Sequence, residues 1–196
     1  MSEIAATLKS IWEKDISRDF RQGILTYEHD VQAAMCFHLR SRNGKDRRRP
    51  QFLLFTEPCG FLRRGTPDLV VCNGKTHHID AVIEIKFSIA TENKLYELYE
   101  GDVQKLQSWS SRVRRRMDGQ AKENLLLDPK TLKCSDDEDD RFKADAKTLW
   151  VFAVIGKAGP IQRFMRSRQG RPHEGRLLIL YAPVENGKAR FRTCRL

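Results

Sequence analysis

Ala81-Val82-Ile83-Glu84-Ile85-Lys86-Phe87 is an apolar run into which one acid and one lysine are set. Extended from Ile79 to Ser88, it reads as a buried strand. Side chains alternate along a strand, so Ile79, Ala81, Ile83, Ile85 and Phe87 share one face, and Asp80, Val82, Glu84, Lys86 and Ser88 the other. Glu84 and Lys86 then point the same way, roughly 7 Å apart. A charge in such surroundings is costly unless it is paired or bound to a metal.

Upstream, Pro67-Asp68 opens a second apolar strand, Asp68 to Cys72, which Asn73-Gly74 ends in a turn. A five-residue loop over Gly74 to His78 sets Asn73 opposite Ile79 and Asp68 beside Glu84. Cross-strand neighbours stand about 5 Å apart at Cβ, close enough for one cation to bridge both carboxylates. Before these lie another strand, Gln51 to Thr56, stopped by Glu57-Pro58-Cys59-Gly60, and the basic turn Arg63-Arg64-Gly65-Thr66-Pro67.

Helical spacing marks the other side of the pattern. Ile4, Leu8, Ile11 and Trp12 predict an amphipathic helix over 3–15. A second helix is expected from Thr26, as N-cap, to Arg42, ended by Asn43-Gly44. Glu28 falls on its apolar stripe with Val31, Met35, His38 and Leu39, so that acid faces the protein. A long helix follows over 93–117, with Gly101-Asp102 as a break and Asp102 as a new N-cap. Residues 118–147 are polar and read as a long loop carrying the acidic run Asp136-Asp137-Glu138-Asp139-Asp140. Leu149 to Ile155 reads as a central strand, Gly159 to Arg168 as a short helix, Arg176 to Tyr181 as a strand and Ala189 to Thr193 as an edge strand. The 196 residues suit a single α/β domain, a mixed central β-sheet flanked by helices, with 118–147 as an excursion.

Composition narrows the function classes. The formal net charge is +10, clustered at Arg40 to Arg49, Arg112 to Arg116, Arg163 to Arg171 and Lys188 to Arg195, which suits a polyanionic partner, most simply nucleic acid. No apolar run approaches a membrane span and the N-terminus lacks signal-peptide features, so a cytoplasmic protein without membrane association is expected. The five cysteines are scattered without a CxxC pair, which argues against zinc and iron–sulfur sites.

Glu28 on a helix, Pro67-Asp68 at a strand head and Glu84-Ile85-Lys86 in the next strand resemble the PD-(D/E)xK, or restriction-endonuclease-like, nuclease superfamily. The match covers roughly residues 25–118, with the strand from Leu149 completing the sheet. The motif itself is short, and its setting on the expected elements gives it its weight. The resemblance implies a restriction-endonuclease-like three-layer sandwich and a Mg2+-dependent deoxyribonuclease, with Mn2+ able to substitute. It implies that Asp68 and Glu84, with the backbone carbonyl of Ile85, ligate the metal. Lys86 would orient or help deprotonate the attacking water in a pKa-depressing crowd of cations, and Glu28 would serve a metal-bound water or a second ion. Gln104 and Lys105 are candidates for the polar residue that many members carry on the following helix.

DNA is the expected partner, gripped by Arg47, Arg48, Arg49, Arg63, Arg64, Lys105, Arg114 and Arg115. The chain would act alone, as a homodimer, or within a larger DNA-processing or defence assembly. The alternative is a catalytically silent module of the same fold that binds nucleic acid or a partner. Metal-dependent cleavage separates the two.

Overall fold

The computed structural model describes residues 2–42, 51–58, 66–76, 78–89, 95–117, 126–127, 142–168 and 176–195. Seven strands form one open, mixed sheet: β1 (Phe52–Thr56), β2 (Leu69–Asn73), β3 (Ile79–Ser88), β6 (Leu149–Lys157), β7 (Leu177–Glu185), β8 (Lys188–Ala189) and β9 (Arg192–Arg195). The order is β1-β2-β3-β6-β7, with β8 and β9 both on the outer edge of β7. β1, β2 and β3 are antiparallel neighbours, and β3, β6 and β7 run parallel. The remaining strands, β4 (Leu126–Leu127) and β5 (Phe142–Lys143), form a separate two-stranded ladder.

Helices cover both faces. On one lie α1 (Glu3–Ser10), a π-helical stretch (Ile11–Ile16), α2 (Ser17–Arg21) and α3 (Glu28–Ser41), packed on Leu69, Val71, Ala81, Ile83 and Ile85. On the other lie α4 (Leu95–Met117) and α5 (Ala158–Arg168), packed on Val70, Val82, Phe152, Val154 and Ile179. The expected first helix thus runs on to Arg21 through a wider turn. The five-residue step from Ile11 to Ile16 suits the i→i+5 pattern of a π turn, and both residues are buried. Among the described residues no helix is long and apolar enough to cross a membrane.

Four expectations change, each for a physical reason. The β2–β3 hairpin pairs Cys72 with Ile79, and a bulge at Asp80 restores Val71 opposite Ala81 and Leu69 opposite Ile83. That extra residue moves Ile79 to the α4 face with Val82, so strict alternation fails at the strand's start and holds where the acid and lysine sit. α3 begins at Glu28 with Tyr27 as its N-cap in place of Thr26, and Asp30 Oδ2 accepts from the Thr26 N–H (2.8 Å), the Thr26 hydroxyl (2.7 Å) and the Tyr27 N–H (2.9 Å). α4 runs unbroken through Gly101-Asp102, because its stripe Leu95, Tyr99, Val103, Leu106, Trp109 is buried and outweighs the roughly 1 kcal/mol that glycine costs inside a helix. Within the excursion, Phe142 is buried and its ring lies 5.6 Å from that of Phe55, so this polar segment has an anchor in the core. The acidic run at 136–140 lies outside the described residues.

Gly156 sits where β3, β6 and α4 close on one another. A Cβ added there would stand 2.5 Å from the Tyr99 hydroxyl and 2.9 Å from the Ser88 carbonyl oxygen. The Ser88 backbone is held in the β3–β6 ladder, where Ser88 faces Gly156, and cannot swing aside as a side chain would. Gly156→Ala is expected to cost about 1–3 kcal/mol in urea unfolding. An unchanged midpoint would mean that the helix–sheet spacing yields at this point.

Candidate active site

The bulge-corrected register brings the motif together. With Leu69 opposite Ile83, one further step sets Asp68 opposite Glu84, at the point where β2 ends and β3 continues. Among the described residues no strand lies beyond Ile83 on the edge of β3 turned away from β6, and the backbone donors there must find other partners. Two acids supply them. Asp68 Oδ2 accepts from the Ile85 N–H at 2.5 Å, and Glu28 Oε2, from the first turn of α3, accepts from the Phe87 N–H at 3.3 Å. An extended residue sends its N–H and C=O to the same edge, so the Ile85 carbonyl also faces this gap.

Asp68 is held firmly. Its own carbonyl accepts from Gln32 Nε2 of α3 at 2.6 Å and from the Glu57 N–H at 3.1 Å. Burial pushes the Asp68 carboxyl above its ordinary pKa; the Ile85 N–H opposes this and the Glu28 charge adds to it. Lys86 Nζ lies 3.2 Å from Glu28 Oε2 across the same gap. Burial works against the Lys86 ammonium, but the carboxylates of Glu28, Asp102 and Asp68 outweigh it and raise its pKa. The depressed pKa expected from the sequence belongs to a lysine beside a bound cation; without one, the acids around Lys86 set the direction.

Glu84 is the most strained charge in the cluster. It is 4% exposed, on the α4 face of the sheet, and its pKa is raised to about 8. Burial is the main cause, Lys105 opposes it, and Asp68 and Asp102 reinforce it. Lys105 Nζ, on α4, lies 2.8 Å from Glu84 Oε1 and supports the charged form of that acid. The same ammonium donates to the Thr66 carbonyl at 3.1 Å and stands 4.7 Å from the centre of the Trp109 ring. Lys105 therefore stands inside the cluster, in the place of the polar helix residue for which it and Gln104 were candidates, as well as being a candidate DNA contact.

Asp102 completes the group and was missed. Its Oδ2 is buried without a hydrogen bond, and burial raises its pKa, with Lys86 and Lys105 opposing. A signal existed: Asp102 continues the 4-3-4-3 stripe Leu95, Tyr99, Leu106, Trp109 as the one acid on it. Gln32 also had a signal, standing four residues after Glu28 on the same helical face. Gln104, the other candidate on this helix, is exposed. Arg47, Arg48, Arg49, Arg63 and Arg64 lie outside the described residues, as do the side chains of Arg114 and Arg115 on α4.

The donor set suits a hard cation in composition. Asp68, Glu84 and the Ile85 carbonyl are all oxygen donors, and magnesium takes few protein ligands and keeps several waters. A buried Glu84 whose charge is disfavoured is a place where a cation would be welcomed, in competition with the Lys105 ammonium. Among the described residues no group of three His, Cys, Asp or Glu side chains could by itself hold a metal, so ligation would rest on two carboxylates, the backbone carbonyl and water. No family model, no curated protein and no solved structure matches the chain.

Proposed function

We propose that this chain is a magnesium-dependent nuclease of the restriction-endonuclease-like type that hydrolyses phosphodiester bonds in DNA. One observation carries the reading. Glu28, Asp68, Glu84 and Lys86, far apart in sequence, meet where β3 runs on past the end of β2, and burial, with neighbouring acids adding to it, disfavours the Glu84 charge there. Acids held this close without enough positive charge are a standing cost in a purely structural cluster, and an asset where a cation and a phosphate are to be bound.

Asp68 and Glu84, with the Ile85 carbonyl, would hold the metal. When bound, magnesium supplies charge that acidifies a coordinated water and offsets the charge building on the phosphate. Asp68 is kept in place by the Ile85 N–H through its carboxylate and by Gln32 through its carbonyl. Lys86 brings a fixed ammonium toward the phosphate and orients the attacking water, and Glu28 holds that ammonium from behind. The +10 net charge serves the approach of a polyanion.

A second reading, a catalytically silent nucleic-acid- or partner-binding module, draws on one specific contact. The Lys105 ammonium pairs with Glu84 where the cation would add its charge. The two separate on supercoiled plasmid. The nuclease reading expects nicked and linear products with Mg2+ or Mn2+ and none with EDTA. Protein that binds DNA but cuts neither plasmid nor linear DNA with either metal would overturn it and leave the silent module.

A further inference from the structure

Away from the acid cluster, α5, β7, β8 and β9 enclose a cleft of about 540 Å3. Its lining is of two kinds. Met165 on α5 and Tyr181 on β7 supply apolar and aromatic surface, and Arg166, Lys188, Arg190 and Arg192 supply positive charge, with Glu185 as the lone acid of the lining. The rim cations are built in by local structure. Asn186 and Gly187, both at positive φ, form a two-residue hairpin turn that returns the chain as β8 and carries Lys188 back beside Glu185. β9 then pairs Arg192 with Tyr181, and Trp12 Nε1 donates to the Tyr181 carbonyl at 3.4 Å, which fixes this tyrosine's backbone.

The cleft's position ties it to the acid cluster. Lys86 pairs with Val154, and Val154 pairs with Tyr181, across the parallel strands β3, β6 and β7. Paired residues of a parallel sheet share a face, so Lys86 and Tyr181 stand in one row, two strand spacings or about 10 Å apart. Both lie toward the same, C-terminal end of the parallel strands.

We infer that this cleft binds single-stranded DNA, taking an unpaired base against Tyr181 and Met165 and its flanking phosphates on Arg166, Lys188, Arg190 and Arg192. An aromatic face beside a ring of cations is the combination that sequence-tolerant single-strand binding uses. A duplex is too broad to enter a space of this size and presents its bases stacked. The volume falls in the range that encloses one small-molecule-sized unit. This names the substrate class of the proposed nuclease, a strand with unpaired nucleotides beside the scissile bond, and rests on that reading for its purpose.

The test is fluorescence anisotropy in EDTA, so that binding is measured without cleavage. The probes are labelled oligothymidylate and a labelled duplex, with the full chain as wild type, Arg190→Glu/Arg192→Glu, Arg166→Glu and Tyr181→Leu. Arg166, Arg190 and Arg192 are exposed, so the charge variants keep the test valid should Tyr181→Leu fail to fold. Oligothymidylate binding is expected to weaken about tenfold or more in each folded variant, with duplex binding changed far less. The salt slope for the single strand should fall by about 0.7 for each phosphate that the variant no longer neutralises. Unchanged oligothymidylate affinity, or equal losses on both probes, overturns the inference. Loss of single-strand affinity with no metal-dependent cleavage by the wild type would instead keep the cleft and remove the nuclease.

Discussion

Lys86→Ala is expected to reduce metal-dependent plasmid cleavage at least a hundredfold while DNA affinity and thermal stability stay near wild type. The size follows from the role: a positioned group that handles the attacking water and the charge on the phosphate contributes about 10²–10⁴-fold. The selectivity follows from the surroundings. Lys86 is partly exposed, and its one described ion pair is with Glu28, itself partly open to water, so solvent replaces the lost ammonium there, while the buried Asp102 keeps the support of Lys105. Asp68 calls for a gentler change. Alanine there would strand the Ile85 N–H, at a cost of about 1–3 kcal/mol, whereas Asp68→Asn keeps an acceptor for that bond and removes the charge a metal needs. Asp68→Asn should therefore bind DNA, melt near wild type and fail to cut. Variants that cleave at wild-type rate would place the chemistry elsewhere. Variants that lose binding and cleavage together would assign the cluster to binding, as the silent module requires.

The parts of this site that were legible in the sequence are those that a single element determines. Two-residue periodicity put Glu84 and Lys86 in one strand beyond the bulge, and helical periodicity turned Glu28 inward. Those readings needed no knowledge of what packs against what. The register of Asp68 against Glu84 came out as expected by a different route: the hairpin slips by one residue at Cys72 and the bulge at Asp80 takes the slip back. Nothing in a turn sequence fixes such a compensation.

The length of β7 was lost for a related reason. Pro183 reads as a strand breaker, yet its carbonyl accepts from the Arg190 N–H, so its missing donor faces the short gap where the edge passes from β9 to β8 and costs no ladder bond. Lys105 and Asp102 belong to a third class. Both come near Glu84 only because α4 lies across β3; Lys105 was a candidate through the resemblance alone, and Gly101-Asp102 looks locally like a helix start. Tertiary burial of the stripe on either side overrode that local preference.

Metal-free protein should lose stability as pH rises from about 4.5 to about 8, and Glu84 is the reason. Its carboxyl holds a proton up to about 8 in the folded state, against an ordinary value of 4.5. Between those values the folded chain binds more protons than the unfolded one, so unfolding becomes easier with each step in pH. Asp68, Asp80 and Asp102, also raised by burial, add to the same slope. Lys86 does not enter this window, because its raised pKa stabilises the fold below 10.5 and is lost only above it. Asp15 and Asp30 are lowered from 3.8, and their stabilisation disappears on the acid side. The full Glu84 effect is on the order of 5 kcal/mol, or a Tm fall on the order of 15 °C for a chain of this size. Glu84→Gln, which keeps an oxygen for Lys105 and removes the titration, should flatten the slope and melt above wild type at pH 8 in EDTA. Magnesium separates the functional reading from a merely buried acid. Binding needs the deprotonated carboxylate, so added Mg2+ should raise the Tm more at pH 8 than at pH 6, and should raise it little in Glu84→Gln. A Tm of the metal-free protein that climbs through this window would overturn the raised Glu84 pKa, and a magnesium effect that survives Glu84→Gln would show that the cation does not sit on this acid.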